Sequence, residues 1–202
     1  LWIIMKPFIT TYSGKRICPL NIQVQDIELE DIARGLSNTC RFGGQLRHFY
    51  SVAQHSVLCG KLARDLNYTE NEIMSATLHD LSEAYLGDFI KPIKGNLAIS
   101  TMPYGKIVSI NEIEDQIGSV FNKKFGLDLI FHSNRIKYVD NVLLNSESFY
   151  LRGFKVTEDL PILIDRIIPL NPKDAYIQFI AACKEMGLVS LTPELVDAAF
   201  SC

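Results

Sequence analysis

The sequence predicts a mostly α-helical fold with a small β-hairpin near its N-terminus. Three observations carry this. Apolar residues recur at helical spacing from about residue 29 to residue 186. Thr69 with Glu72 and Ser109 with Glu112 each form the Ser/Thr-x-x-Glu pattern that opens a helix. β-prone residues gather around only one early turn, Ser13-Gly14.

The elements follow in order. Residues 9–17, "ITTYSGKRI", read as the hairpin. Leu29, Ile32, Ala33 and Leu36 share a helix face, with Gly35 near its end. Residues 40–49, "CRFGGQLRHF", read as a loop. Ser51 is the expected N-cap of a helix whose face carries Val52, His55, Cys59, Leu62 and Leu66. A helix opened by Thr69 is expected to run through Ile73, Thr77, Asp80, Leu81 and Ala84 until Gly87. "KPIKGN" reads as a turn and residues 95–106 as a loop. Ile110, Ile113, Ile117, Val120 and Phe121 form the next stripe. Ile136, Asp140, Leu143 and Glu147 then lie on or near one face of a further helix. Pro172 stands where the final helix begins.

The chain has 202 residues, 48% of them hydrophobic, which suits one domain with a sizeable core. Residues 1–202 are therefore read as a single domain, with 1–8 expected to be poorly ordered and 152–202 a C-terminal helical extension. Met5 reads as a natural start, and Leu1 to Ile4 are set aside. A net charge of −3 implies no general attraction to polymeric nucleic acid or to a membrane, though a local basic patch for a small phosphate is allowed. No apolar run reaches bilayer-spanning length. The five Cys (18, 40, 59, 183, 202) are scattered without a C-x-x-C, which suggests reduced thiols and a cytoplasmic location.

"ATLHDLSEAYLGDF", residues 76–89, places His79 and Asp80 side by side, then Glu83 and Asp88, in an otherwise apolar stretch. His55 and Asp140 also fall on apolar faces. A lone histidine there is usually a core residue bonded to a carbonyl, and a lone Asp is usually a cap or a surface group. A buried carboxylate is costly unless paired, and an ion would offset that cost. Two His and two Asp on helices that can pack together suit a first-row divalent ion such as Mn²⁺, Co²⁺, Fe²⁺ or Zn²⁺, with Mg²⁺ also allowed.

The order His55, then His79-Asp80, then Asp140 resembles the HD-domain metal-dependent phosphohydrolases. "YSVAQHS" and "LHDLSEAYLGD" resemble their compact deoxynucleotide branch, which includes bacterial 5′-deoxynucleotidases and phage deoxynucleoside triphosphate triphosphohydrolases. The resemblance runs from about Ile9 to Leu151. It implies an HD-domain helical bundle. It makes His55, His79, Asp80 and Asp140 the metal ligands and gives Glu83 proton transfer to or from the attacking water. Asp88 matches a second acidic residue that orients water or substrate, or else caps a turn. Lys94 matches the P-x-K lysine for the phosphate. Arg41 and Phe42 match an Arg-aromatic pair, Arg41 for phosphate and Phe42 for stacking on the base. Gly43 and Gly44 either serve a turn needing φ > 0 or leave the base edge free. His48 and His132 receive no role.

The resemblance implies hydrolysis of a dNTP to deoxynucleoside and triphosphate, with the nucleotide as the small-molecule partner. The neighbouring alternatives are a 5′-deoxynucleotidase acting on dNMPs and, in a different class, a non-catalytic nucleotide-binding HD module. A cyclic-nucleotide phosphodiesterase is a more distant enzyme reading. Homo-oligomerisation is expected, because relatives in that branch often self-associate.

Overall fold

A computed structural model describes residues 8–100, 107–163 and 165–188. The expectations for residues 1–7, for the tip of the 95–106 segment and for the chain after residue 188 lie outside the described residues. The fold is mostly helical, with two small antiparallel strand pairs.

The chain opens with β1 (Ile9–Thr10) paired to β2 (Arg16–Ile17), as the Ser13-Gly14 turn predicts. Helix α1 (Leu29–Asn38) buries Ile32, Ala33 and Leu36 completely. Helix α2 (Val52–Asp65) starts where Ser51 accepts a bond from the Gln54 N–H. It packs against α1, α3 (Glu70–Leu78), α7 (Asn134–Arg152) and α8 (Pro172–Glu185), and so forms the middle of the bundle. Leu66 falls just past its end and is 38% exposed, so it does not share the buried face. Glycine at position 60 lets α2 and α3 touch: a Cβ there would stand 2.1 Å from Thr77 Oγ1. That close approach brings His55 and His79 together.

The expected single helix from Thr69 to Gly87 is divided. The capping box holds its start, but α3 stops at Leu78 and α4 spans only Glu83–Leu86. The ring Nδ1–H of His79 donates to the Ala76 carbonyl at 2.8 Å, competing with the helix for an acceptor. The backbone then tightens into i→i+3 bonds, Leu81 N–H to Leu78 O and Glu83 N–H to Asp80 O. In a regular helix adjacent residues point apart. The tight turn lets both His79 and Asp80 face the same point.

"KPIK" forms one helical turn, α5 (Lys91–Lys94), because Pro92 is tolerated in a first turn that needs no N–H from it. The expected loop at 95–106 contains β3 (Ala98–Ser100) paired with β4 (Ile107–Ser109). Three-residue strands that are mostly half-exposed or exposed leave almost no periodic signal. Helix α6 (Ile110–Phe125) begins at the second capping box and buries Ile113, Ile117 and Phe121.

The expected helical extension after residue 152 is helical only in α8, among the described residues. Residues 153–163 and 165–171 form an irregular strap held by buried polar side chains. Asn145 donates to Leu160 O and accepts from the N–H groups of Val156 and Thr157. Ser146 Oγ accepts from Leu163 N–H. The Gln54 amide holds Ile168 O and Leu170 N–H. No helix among the described residues is long and apolar enough to cross a membrane.

Candidate metal centre

Helix α2 supplies His55, the α3–α4 turn supplies His79 and Asp80, and α7 supplies Asp140. His55 Nε2 lies 3.4 Å from Asp140 Oδ1 and 3.6 Å from Asp80 Oδ2. His79 Nε2 lies 3.2 Å from Asp80 Oδ2 and 3.9 Å from Asp140 Oδ1. Donors about 2.1 Å from one ion sit roughly 3.0–3.4 Å from their neighbours; the 3.2 Å and 3.4 Å spacings match a shared ion, and the 3.6 Å and 3.9 Å spacings are slightly wider. His79 Nε2 is buried and has no hydrogen-bond partner among the described residues. Its other ring nitrogen is committed to Ala76 O, which leaves the Nε2 lone pair aimed into the centre. This donor set therefore fits a divalent ion.

Two groups near the ligands were not singled out from sequence as site residues. Glu147, two helical turns after Asp140, is fully buried. Its Oε1 lies 2.6 Å from His55 Nδ1 and accepts from the Tyr50 hydroxyl at 2.8 Å. Its place on an apolar face was the signal that could have found it. Cys59, one turn after His55, is also buried. Its Sγ lies 3.4 Å from His55 Nε2, and the donor atoms of His55, Cys59 and His79 all fall within 4.8 Å of one another. Burial pushes the Cys59 thiol up, which opposes a thiolate here.

Arg41 sits beneath this centre and is only 8% exposed. It lies 3.3 Å from Glu147, 3.4 Å from Asp80 and 4.0 Å from Asp140. Burial opposes ionisation of Asp80, Asp140 and Glu147. The histidines and Arg41 outweigh it and hold all three below the usual carboxylate range.

Glu83 behaves in the opposite way. It is 4% exposed, and burial, with Asp80 and Asp88 nearby, raises its pKa well above the ordinary value. Glu83 Oε2 has no hydrogen-bond partner among the described residues. Asp88 is likewise raised, chiefly by burial. Lys94 lies 3.8 Å from Glu83 and 2.8 Å from Glu114 on α6, a partner that the sequence reading did not include. A cleft of about 480 Å³ opens beside the ligands and is lined by His79, Asp80, Lys91, Lys94, Lys137 and Asp140, among others.

The structure thus gathers His55, His79, Asp80, Asp140, Glu83 and Lys94 at one place. Phe42, Gly43 and Gly44 do not line this cleft. Phe42 stands between Arg41 and Arg152, its ring centroid 5.8 Å and 5.4 Å from the two guanidinium carbons. Gly43 and Gly44 have φ of +59° and +73°, so the turn accounts for both glycines.

The arrangement defines a helical protein with a His/Asp donor set, His55 buried and the other three half-buried, suited to a divalent ion, and an open cleft beside it lined by Lys91, Lys94 and Lys137 together with Asp80, Glu114, Asp115 and Asp140. No family model matches the chain. It is 36% identical over 191 residues to the uncharacterized protein YfdR of Escherichia coli, covering 89% of this chain and 96% of that protein. It is 33% identical over 153 residues to the uncharacterized protein RCAP_rcc00048 of Rhodobacter capsulatus, covering 72% of this chain and 74% of that protein. The chain belongs to the family of these two proteins. Neither name states an activity.

Proposed function

We propose that this protein is an HD-type, metal-dependent phosphohydrolase that converts a dNTP to deoxynucleoside and triphosphate. The observation that carries the reading is the convergence of His55 Nε2, His79 Nε2, Asp80 Oδ2 and Asp140 Oδ1 within 3.2–3.9 Å contacts, next to Glu83 and Lys94.

His55, His79, Asp80 and Asp140 would hold one divalent ion. When bound, such an ion supplies Lewis-acid charge to phosphoryl oxygens and makes water more acidic. Glu147 fixes the His55 ring by its bond to Nδ1, and Ala76 O fixes His79. Arg41 keeps the carboxylates ionised and in place from below. Glu83, with its raised proton affinity, takes the proton of the attacking water. Lys94 and Lys91 meet the negative charge on the phosphoryl oxygens. Water oxygen bonds to the α-phosphorus, the P–O5′ bond breaks, and the 5′ oxygen leaves with a proton.

A 5′-deoxynucleotidase would break the same bond in a dNMP. Lys91, Lys94 and Lys137 all line the cleft, enough lysines to meet three phosphate groups once Lys91 and Lys94 turn from Asp140 and Glu114, and this supports the triphosphate. The test is product analysis on Mn²⁺- or Co²⁺-loaded protein given dNTPs and dNMPs. Deoxynucleoside plus intact triphosphate is expected. Phosphate from dNMPs alone moves the assignment to a 5′-deoxynucleotidase. Pyrophosphate plus dNMP overturns the proposed bond cleavage.

A further inference from the structure

A cavity of about 800 Å³ lies away from the metal centre and is used by none of the chemistry above. Its walls come from three segments: the loop at 45–48, the end of α7 with the residues just after it, and the strap at 166–169. Each wall contributes an arginine, Arg47, Arg152 and Arg166, and His48 stands beside Arg47. All three arginines are exposed. Among the described residues, no carboxylate lines the cavity and none forms a salt bridge with these arginines. Three unneutralised guanidinium groups facing one concavity repel one another unless an anion lies between them. Arginine's planar fork matches phosphate oxygens two at a time. Phe154, 49% exposed, also lines the cavity under the Arg152 guanidinium, 4.5 Å from carbon to ring centroid.

We propose that this cavity is a second binding site, for a polyphosphate anion carrying three or more negative charges. One guanidinium serves each phosphate group, and the exposed Phe154 face offers stacking if the anion carries a base. The site is also joined physically to the metal centre. The 45–48 loop continues from Arg41-Phe42, and Phe42 lies beside Arg152. The end of α7 is the same helix that carries Asp140 and Glu147. The strap is held by Gln54, the neighbour of His55. An anion that draws the three walls together therefore acts on α2 and α7, two of the elements that carry metal-site residues.

The site does not rest on the reaction proposed above, so it is tested on metal-free protein in chelator, where no turnover occurs. Binding of inorganic tripolyphosphate and of a non-hydrolysable deoxynucleoside triphosphate is measured by calorimetry at physiological salt. Wild type should bind saturably, with one anion per chain at this cavity. Arg47→Ala with Arg166→Ala should weaken binding at least tenfold. Arg47→Lys with Arg166→Lys should retain an intermediate affinity, because charge remains and the fork is lost. Tighter binding of the nucleotide than of tripolyphosphate, with the difference removed by Phe154→Ala, identifies a nucleotide ligand. Equal binding of the two identifies inorganic polyphosphate. The proposal is overturned if neither anion binds saturably, if the double alanine variant binds like wild type, if only Lys94→Ala abolishes binding, or if a short oligonucleotide outcompetes both anions.

Discussion

Glu147 Oε1 and His55 Nδ1 lie 2.6 Å apart, both side chains completely shielded from solvent. The pair is a carboxylate orienting a histidine from behind, with the opposite ring nitrogen pointing at Asp80 and Asp140. Such a partner fixes the tautomer and raises the basicity of the ligand. Tyr50 and Arg41 bind the same carboxylate, so its position is set by three neighbours.

Glu147→Gln should therefore lower affinity for the divalent ion by about 10–100-fold, the usual cost of losing an orienting partner. Competition titration against a chelating dye measures this. An unchanged affinity would reduce Glu147 to a counter-ion for Arg41.

Glu83→Gln should separate chemistry from stability. With metal content confirmed, turnover should fall by roughly 10²–10⁴, the size of a general acid-base contribution. The metal-free variant should melt at a higher temperature than wild type near pH 7. The sign follows from the raised folded-state pKa. Below the ordinary carboxylate range Glu83 is protonated in both folded and unfolded chains, and the substitution gains nothing. Above that range the unfolded chain ionises freely, whereas the folded chain must keep the proton or bury a charge. Removing the carboxyl removes that cost, so the gain should vanish in acid. A gain that persists below pH 4 would show that ionisation is not its source.

The helical class, the first hairpin, the capping boxes and the apolar stripes were legible because each is a local pattern. Thr69 with Glu72 and Ser109 with Glu112 cap as their spacing says. The α3–α4 break was not legible, because it depends on the His79 ring taking the Ala76 carbonyl. The strap after residue 153 was hidden for a related reason: its backbone bonds go to the side chains of Asn145 and Ser146 on the preceding helix and of Gln54, 114 positions earlier than Ile168. At the site, four ligand positions could be set beside a family pattern. Glu147 and Glu114 could not, since their partners His55 and Lys94 lie on other elements.

Gly60→Ala should destabilise the fold by about 1–3 kcal/mol, the common cost of overpacking. The added Cβ would fall 2.1 Å from Thr77 Oγ1 and 3.3 Å from Thr77 Cβ, so the Thr77 side chain must turn, giving up its bond to Ile73 O, or α2 and α3 must move apart. Urea unfolding measures the loss, and metal affinity should fall with it because His55 and His79 ride on these helices. Combining it with Thr77→Ala should recover part of both. Wild-type stability in the single variant would contradict the close approach.

Lys94→Ala should reduce kcat on the nucleotide by about 10²–10³, as for loss of a group meeting transition-state charge. Glu114→Gln should act more weakly through Lys94, which it holds at 2.8 Å. Identical kinetics in wild type and Lys94→Ala would remove Lys94 from the phosphate site.

The most direct test of the central claim is ion content per chain measured together with turnover on the same samples, for wild type and Asp80→Asn. The account predicts one divalent ion and nucleotide hydrolysis in wild type, with both lost in Asp80→Asn and hydrolysis lost from wild type after exhaustive chelation. Full turnover by chelated wild type, or an Asp80→Asn variant that keeps both ion and rate, would contradict it.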